Sequence, residues 1–98
     1  MVGVKQRHPG EIRTWAELQI PVLISCWEEL PHVCAEIESW DIGEAQTYAE
    51  EWAFYEMVRH QLETASHQKV LTDLQEEHMA RLRDLVKLHS SKLQRLLG

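Results

Sequence analysis

Glycine (four residues), proline (three) and cysteine (two) are scarce among the 98 residues, and phenylalanine occurs once. So little Gly and Pro excludes collagen, low-complexity linkers and the turn-rich chains of all-β domains. No apolar run comes near the roughly 18–20 residues that a membrane crossing requires, so no membrane association is expected. The opening residues through Gly10 hold no hydrophobic segment, so no secretory signal is expected. Two cysteines without such a signal suit a reducing, cytoplasmic setting. On one helix Cys26 and Cys34 would lie about 12 Å apart along the axis, too far for a disulfide.

The most telling scarcity is of one sign of charge. From Thr14 to Val58 there are ten acidic residues and no Lys or Arg, while the last 18 residues carry five bases against one acid; the whole chain is −6. An acidic middle repels a phosphate backbone, so direct nucleic-acid binding is not expected. Three uses remain for such a layout. The two poles can face each other within the fold or between two copies. The acidic surface can meet a basic protein, or it can imitate nucleic acid toward an enzyme that binds it.

What is present is helical periodicity. With 44% apolar and 27% charged residues the composition is that of one ordinary folded domain. Residues 1–13 are polar and read as a flexible arm. Thr14-Trp15-Ala16-Glu17 fits a capping box, which predicts a helix over residues 14–40. Its stripe runs through Trp15, Leu18, Val22, Cys26, Leu30, Val33, Ile37 and Trp40, widened by Ile20, Leu23, Ile24, Trp27 and Cys34. Pro21 and Pro31 predict kinks within it. Asp41-Ile42-Gly43 marks a break, with Gly43 suited to a left-handed cap. A second helix over 44–64 shows Tyr48, Trp52, Tyr55, Val58 and Leu62 on one face. A third, over 67–97, has an a/d-like seam of Met79, Leu82, Val86, His89, Leu93 and Leu96. The hydrophobic phase slips between Leu62 and Leu71, which predicts a turn capped by Thr64 or Ser66, although one continuous helix is the competing reading.

The fold class expected is therefore all-α: two or three long helices, as a helical hairpin or a three-helix bundle, with an N-terminal arm. The last helix carries more apolar surface than so short a chain can readily cover. That surplus predicts a homodimer through the coiled-coil-like seam.

Four side chains suggest chemistry. Glu56, His60, Glu63 and His67 recur at steps of four, three and four, which places them on one helix face; helical bundles build metal sites from such Glu and His. Yet that face points away from the predicted core, and a solvated row of Glu–His pairs explains it equally. No metal or other cofactor is therefore expected. Trp27 beside Glu28 and Glu29 reads as an aromatic anchor with an acidic rim for a protein partner, against a plain core position. His89 on the seam could fix register. No phosphate loop, dinucleotide turn or Ser-His-Asp arrangement occurs. The expected function is a non-enzymatic interaction module, a small adaptor, regulator or inhibitor. The alternatives are a nucleic-acid mimic and a metal-binding helical bundle.

Overall fold

The structure, a computed structural model, describes residues 8–98. The predicted arm, residues 1–13, falls mostly outside them. Three α-helices follow one another: α1 (Pro9–Glu36), α2 (Ile42–His67) and α3 (Asp73–Leu97), with a short 3-10 turn, Ile37–Ser39, after α1. All-α is the outcome, and no strand occurs among the described residues.

Helix α1 begins at Pro9 and not at Thr14. Proline at the first helical turn lacks only an N–H that would be unbonded there, and its fixed φ already suits a helix. Thr14 is an interior residue whose hydroxyl donates back to the Gly10 carbonyl at 3.0 Å, so no capping box forms. The helix then continues through Pro21 and Pro31 without a break.

The second boundary also differs. Asp41, not Gly43, makes the junction: its carboxylate accepts from the Gly43 amide at 3.0 Å and caps α2, whose first residue is Ile42. Between α2 and α3 the turn forms, but neither Thr64 nor Ser66 caps the new helix. Thr64 donates back to the His60 carbonyl, and Ser66 donates to Glu76. The chain closes α2 with two bonds: Val70 N–H to the Ala65 carbonyl at 3.2 Å and Lys69 N–H to the Ser66 carbonyl at 3.0 Å. That is the Schellman pattern, which places Lys69 in left-handed backbone at φ 62°. Glycine usually fills this position, which is why the turn carries no sequence breaker. Thr72 then opens α3 with a full capping box: its hydroxyl accepts from the Gln75 amide at 3.1 Å, and the Gln75 side chain accepts from the Thr72 amide at 3.0 Å.

Gln75 does more than cap. It is a buried polar residue, 5% exposed, and its Nε2 donates to the Arg13 carbonyl at 2.8 Å. Arg13 Nε in turn donates to the Val70 carbonyl at 2.8 Å. These bonds fix the start of α3 beside the start of α1. Farther along, Glu28 pairs with Arg81, and the Cys34 thiol reaches the Lys92 carbonyl. The order rises in both helices, so α1 and α3 run parallel. Helix α2 returns antiparallel, with Ser66 bonded to Glu76 and Glu63 to Arg83. The result is an up-down-up three-helix bundle.

The core lies where the three helices meet: Ala16, Ile20, Leu23, Trp27 and Leu30 from α1, Trp52, Val58, Leu62 and Ala65 from α2, and Met79, Leu82 and Leu93 from α3. On α1 this line is rotated by roughly a quarter turn from the stripe read in the sequence. Leu18 is 67% exposed and Val22 48%. The sequence stripe weights every apolar residue alike, whereas Trp27 alone contributes enough area to turn the helix toward α2.

Five of the six seam residues of α3 pack on the core of a single chain. Met79 and Leu82 are fully buried and Leu93 nearly so within one chain; Val86 and Leu96 pack partly buried on the same core, and His89 is half-buried. Helix α1, parallel and of similar length, packs against this face of α3.

Two substitutions test these junctions. Thr72→Ala should cost about 1 kcal/mol, lowering the Tm by roughly 4–8 °C for a domain of this size. Lys69→Gly should raise stability by roughly 0.5–1 kcal/mol, because relief of the left-handed strain exceeds the added entropy of the unfolded chain. A Tm that moves the other way in either variant contradicts the turn geometry.

Candidate interaction surface

The aromatic residues form a chain of edge-on contacts that seats α2 on α1. Trp27 meets Trp52 with ring centroids 5.1 Å apart and planes at 76°. Trp52 meets Tyr55 at 5.5 Å and Tyr48 at 6.3 Å, and Tyr48 meets Trp40 at 5.6 Å. Phe54 continues the series from Tyr55 at 6.2 Å, but is itself 55% exposed. Edge-to-face geometry aligns each ring's positive rim with its neighbour's negative face. Arg59 lies 6.0 Å from the Trp27 ring centre and closes that end of the cluster.

Trp27, only 1% exposed, is thus a core residue and cannot anchor a partner. Glu28 is held by Arg81 of α3, which joins the acidic first half to the basic tail inside one chain. Of Trp27, Glu28 and Glu29, only Glu29 is both exposed and outside the described ion pairs.

The Glu56, His60, Glu63 and His67 row is also dispersed by arginines. Glu56 takes Arg59 in two bonds of 2.7 Å, and Glu63 takes Arg83 at 2.9–3.1 Å. Planar guanidinium matches a carboxylate better than a neighbouring imidazole does. His60 and His67 are exposed, and no group of three or more His, Cys, Asp or Glu among the described residues could hold a metal ion. Both arginine pKa values are raised, first by those hydrogen bonds.

Large apolar side chains remain exposed on both α1 and α2. Leu18 and Val22 on α1 and Phe54 and Met57 on α2 are exposed. Between the two helices the Tyr55 hydroxyl bonds the Cys26 sulfur, and the fields of Glu29 and Glu51 both reach that thiol. Burial pushes the Cys26 thiol up, and the carboxylates push it further against the hydrogen bond, so it is a poor nucleophile at neutral pH. Tyr55 is pushed up to about 12, again chiefly by burial, and Tyr48 is raised for the same reason. The surface is therefore apolar, acidic and chemically quiet. Periodicity alone did not reveal it, because Leu18 and Val22 were counted as core; the signal was Phe54 and Met57 lying off the Trp52–Leu62 face. No helix among the described residues is long and apolar enough to cross a membrane.

Comparison of the chain with protein-family models, with curated proteins and with solved structures finds no match. What it does must be argued from this geometry.

The tyrosines give a pH test. Their neutral forms are favoured in the folded protein, so this contribution is complete below the unfolded value near 10 and is lost as pH rises toward about 12. Absorbance at 295 nm should show tyrosinate appearing well above pH 10 in the folded chain and near 10 in denaturant. Stability should decline across the same window, less so for Tyr55→Phe. Ionisation of both tyrosines near pH 10 in the native protein would contradict the packing.

Proposed function

We propose that this chain is a helical protein–protein interaction module whose α1–α2 surface receives a basic, apolar-sided segment of another protein. The observations that carry this reading are the exposed Leu18 and Val22 on α1, the exposed Phe54 and Met57 on α2 and the exposed carboxylates of Glu29, Glu50 and Glu51, in a stretch without one Lys or Arg from Thr14 to Val58. Exposed apolar side chains beside charge of one sign suit an amphipathic helix that brings Leu-like residues flanked by cations. The apolar row gives area, and the glutamates give orientation and capture rate. Imitation of nucleic acid is the less favoured use, since large apolar residues interrupt the carboxylates. The module acts by holding its partner and supplies no reacting group. A cytoplasmic role as an adaptor or inhibitor fits the two free thiols.

A designed helical peptide with Leu at every third or fourth position and Lys between is a suitable probe, with a Leu/Glu peptide as its control. Amide shifts in NMR should cluster near residues 18–29 and 50–57 on adding the Lys peptide, and weaken as salt screens the charges. The Glu peptide should produce none. Phe54→Ser with Met57→Ser should weaken binding by roughly tenfold or more, each lost apolar contact being worth about 1 kcal/mol, with helicity unchanged by circular dichroism. Undiminished Lys-peptide binding to that variant rejects the surface.

A further inference from the structure

The partner that this surface requires has its chemistry on the same molecule. On α2 the outer ridge is narrow: Glu50, Phe54 and Met57 succeed one another at steps of four and three, and all three are exposed. A shallow groove opens between the C-terminal ends of α1 and α3, with Cys34, Ile37 and Leu96 half-buried in it and Lys92 and Arg95 on its α3 wall. Glu38 stands on the α1 side of the same groove, so its two cations outnumber its one acid. Every lining residue belongs to α1, α3 or the short turn after α1; α2 contributes none. Ridge and groove are therefore separate surfaces of opposite charge, each with apolar side chains at its centre.

We propose that copies of this chain associate head to tail, with the Glu50–Phe54–Met57 ridge of one seated in the α1–α3 groove of the next. The inference rests on the reading of the α1–α2 surface given above and names its partner as a second copy. Charge decides the arrangement. A two-fold dimer that laid the ridge on its own mate would leave Glu50 and Glu51 without a cation, because the chain carries no Lys or Arg from Thr14 to Val58. Ridge to groove places them instead against Lys92 and Arg95. The surfaces share no residue, so the contact is heterologous, and a pair keeps one ridge and one groove free for further growth. Phe54 supplies the apolar knob, and Ile37 and Leu96 supply its seat. So few side chains per partner make a reversible contact of roughly micromolar strength or weaker, below the size of an obligate interface.

The head-to-tail geometry has a signature that a closed dimer lacks. Sedimentation velocity of the full chain at low ionic strength should show a weight-average coefficient that climbs with concentration without a dimer plateau, and association roughly tenfold or more weaker near 1 M salt. A ridge variant, Phe54→Ser with Met57→Ser, and a groove variant, Lys92→Glu with Arg95→Glu, should each remain monomeric and helical. Mixed in equal amounts they should form a 1:1 complex and nothing larger, because each retains the surface that the other has lost. Monomeric wild-type protein at all concentrations, a closed dimer, or variants that fail to combine would each overturn the inference. Binding of the Leu/Lys peptide to the groove variant separates the two ideas. If the peptide binds and the copies do not associate, only self-docking fails; if neither binds, the α1–α2 surface itself is wrong.

Discussion

The edge-to-face packing of Trp27 on Trp52 is the constraint on which the rest depends. Both rings are essentially inaccessible to water, and each large aromatic side chain buries on the order of 150–250 Å². They meet well inside both helices, in the second half of α1 and the first half of α2, so they set the rotation of α1 and α2 together. Once Trp27 points at α2, Ala16, Ile20, Leu23 and Leu30 must follow it inward, since helical spacing ties them to the same face. Leu18 and Val22 are carried out to the surface by the same rotation. The exposed apolar row is thus a consequence of where the tryptophan lies. The indole N–H of Trp27 is buried without an acceptor, a cost that the aromatic and apolar contacts around it must offset.

The parallel pairing of α1 with α3 follows from a different set of forces. Gln75 is almost wholly buried, yet its amide is satisfied at both ends, by Thr72 and by Arg13. A buried polar side chain with that many partners permits few alternative registers. The Glu28–Arg81 pair and the Glu63–Arg83–Ser66 bonds add orientation at the surface, though exposed pairs of this kind contribute little energy each. The leucine-rich seam of α3 then finds its cover inside one chain.

Much of the fold was legible from residue spacing. Three helices, the phase slip near residue 65 and the inward face of Met79, Leu82 and Leu93 all follow from periods of three and four, whereas the first helix ends at Glu36 and not at Trp40. The rest failed for physical reasons. Thr14-x-x-Glu17 and Thr72-x-x-Gln75 are the same motif, but only the second lies where a helix begins, since Pro9 had already started the first. Lys69 performs a glycine's task in left-handed backbone, so the sharpest turn carries no breaker. The Glu56–His67 row had correct helical spacing, but spacing cannot foresee that arginines from i+3 and from another helix would claim both carboxylates. For Trp27, hydrophobic pattern could not separate a core ring from an exposed one, because the answer depends on which side α2 approaches.

Charge then gives the architecture its asymmetry. The chain's two poles neutralise each other only in part. Arg81 takes Glu28, and Arg83 takes Glu63, while Glu29, Glu50 and Glu51 remain on one surface and Lys92 and Arg95 flank another. Had the poles been matched residue for residue, the fold would gain a few surface ion pairs of small individual worth. Left partly unmatched, they set up a field across the bundle that extends about 10 Å into solvent at ordinary salt. Such a field does little for folding and much for encounter, because it orients an approaching basic surface before any apolar side chain touches. Apolar Phe54 and Met57 can then remain exposed on a chain of net charge −6, since net charge keeps random copies apart and admits only an approach that brings cations to the glutamates.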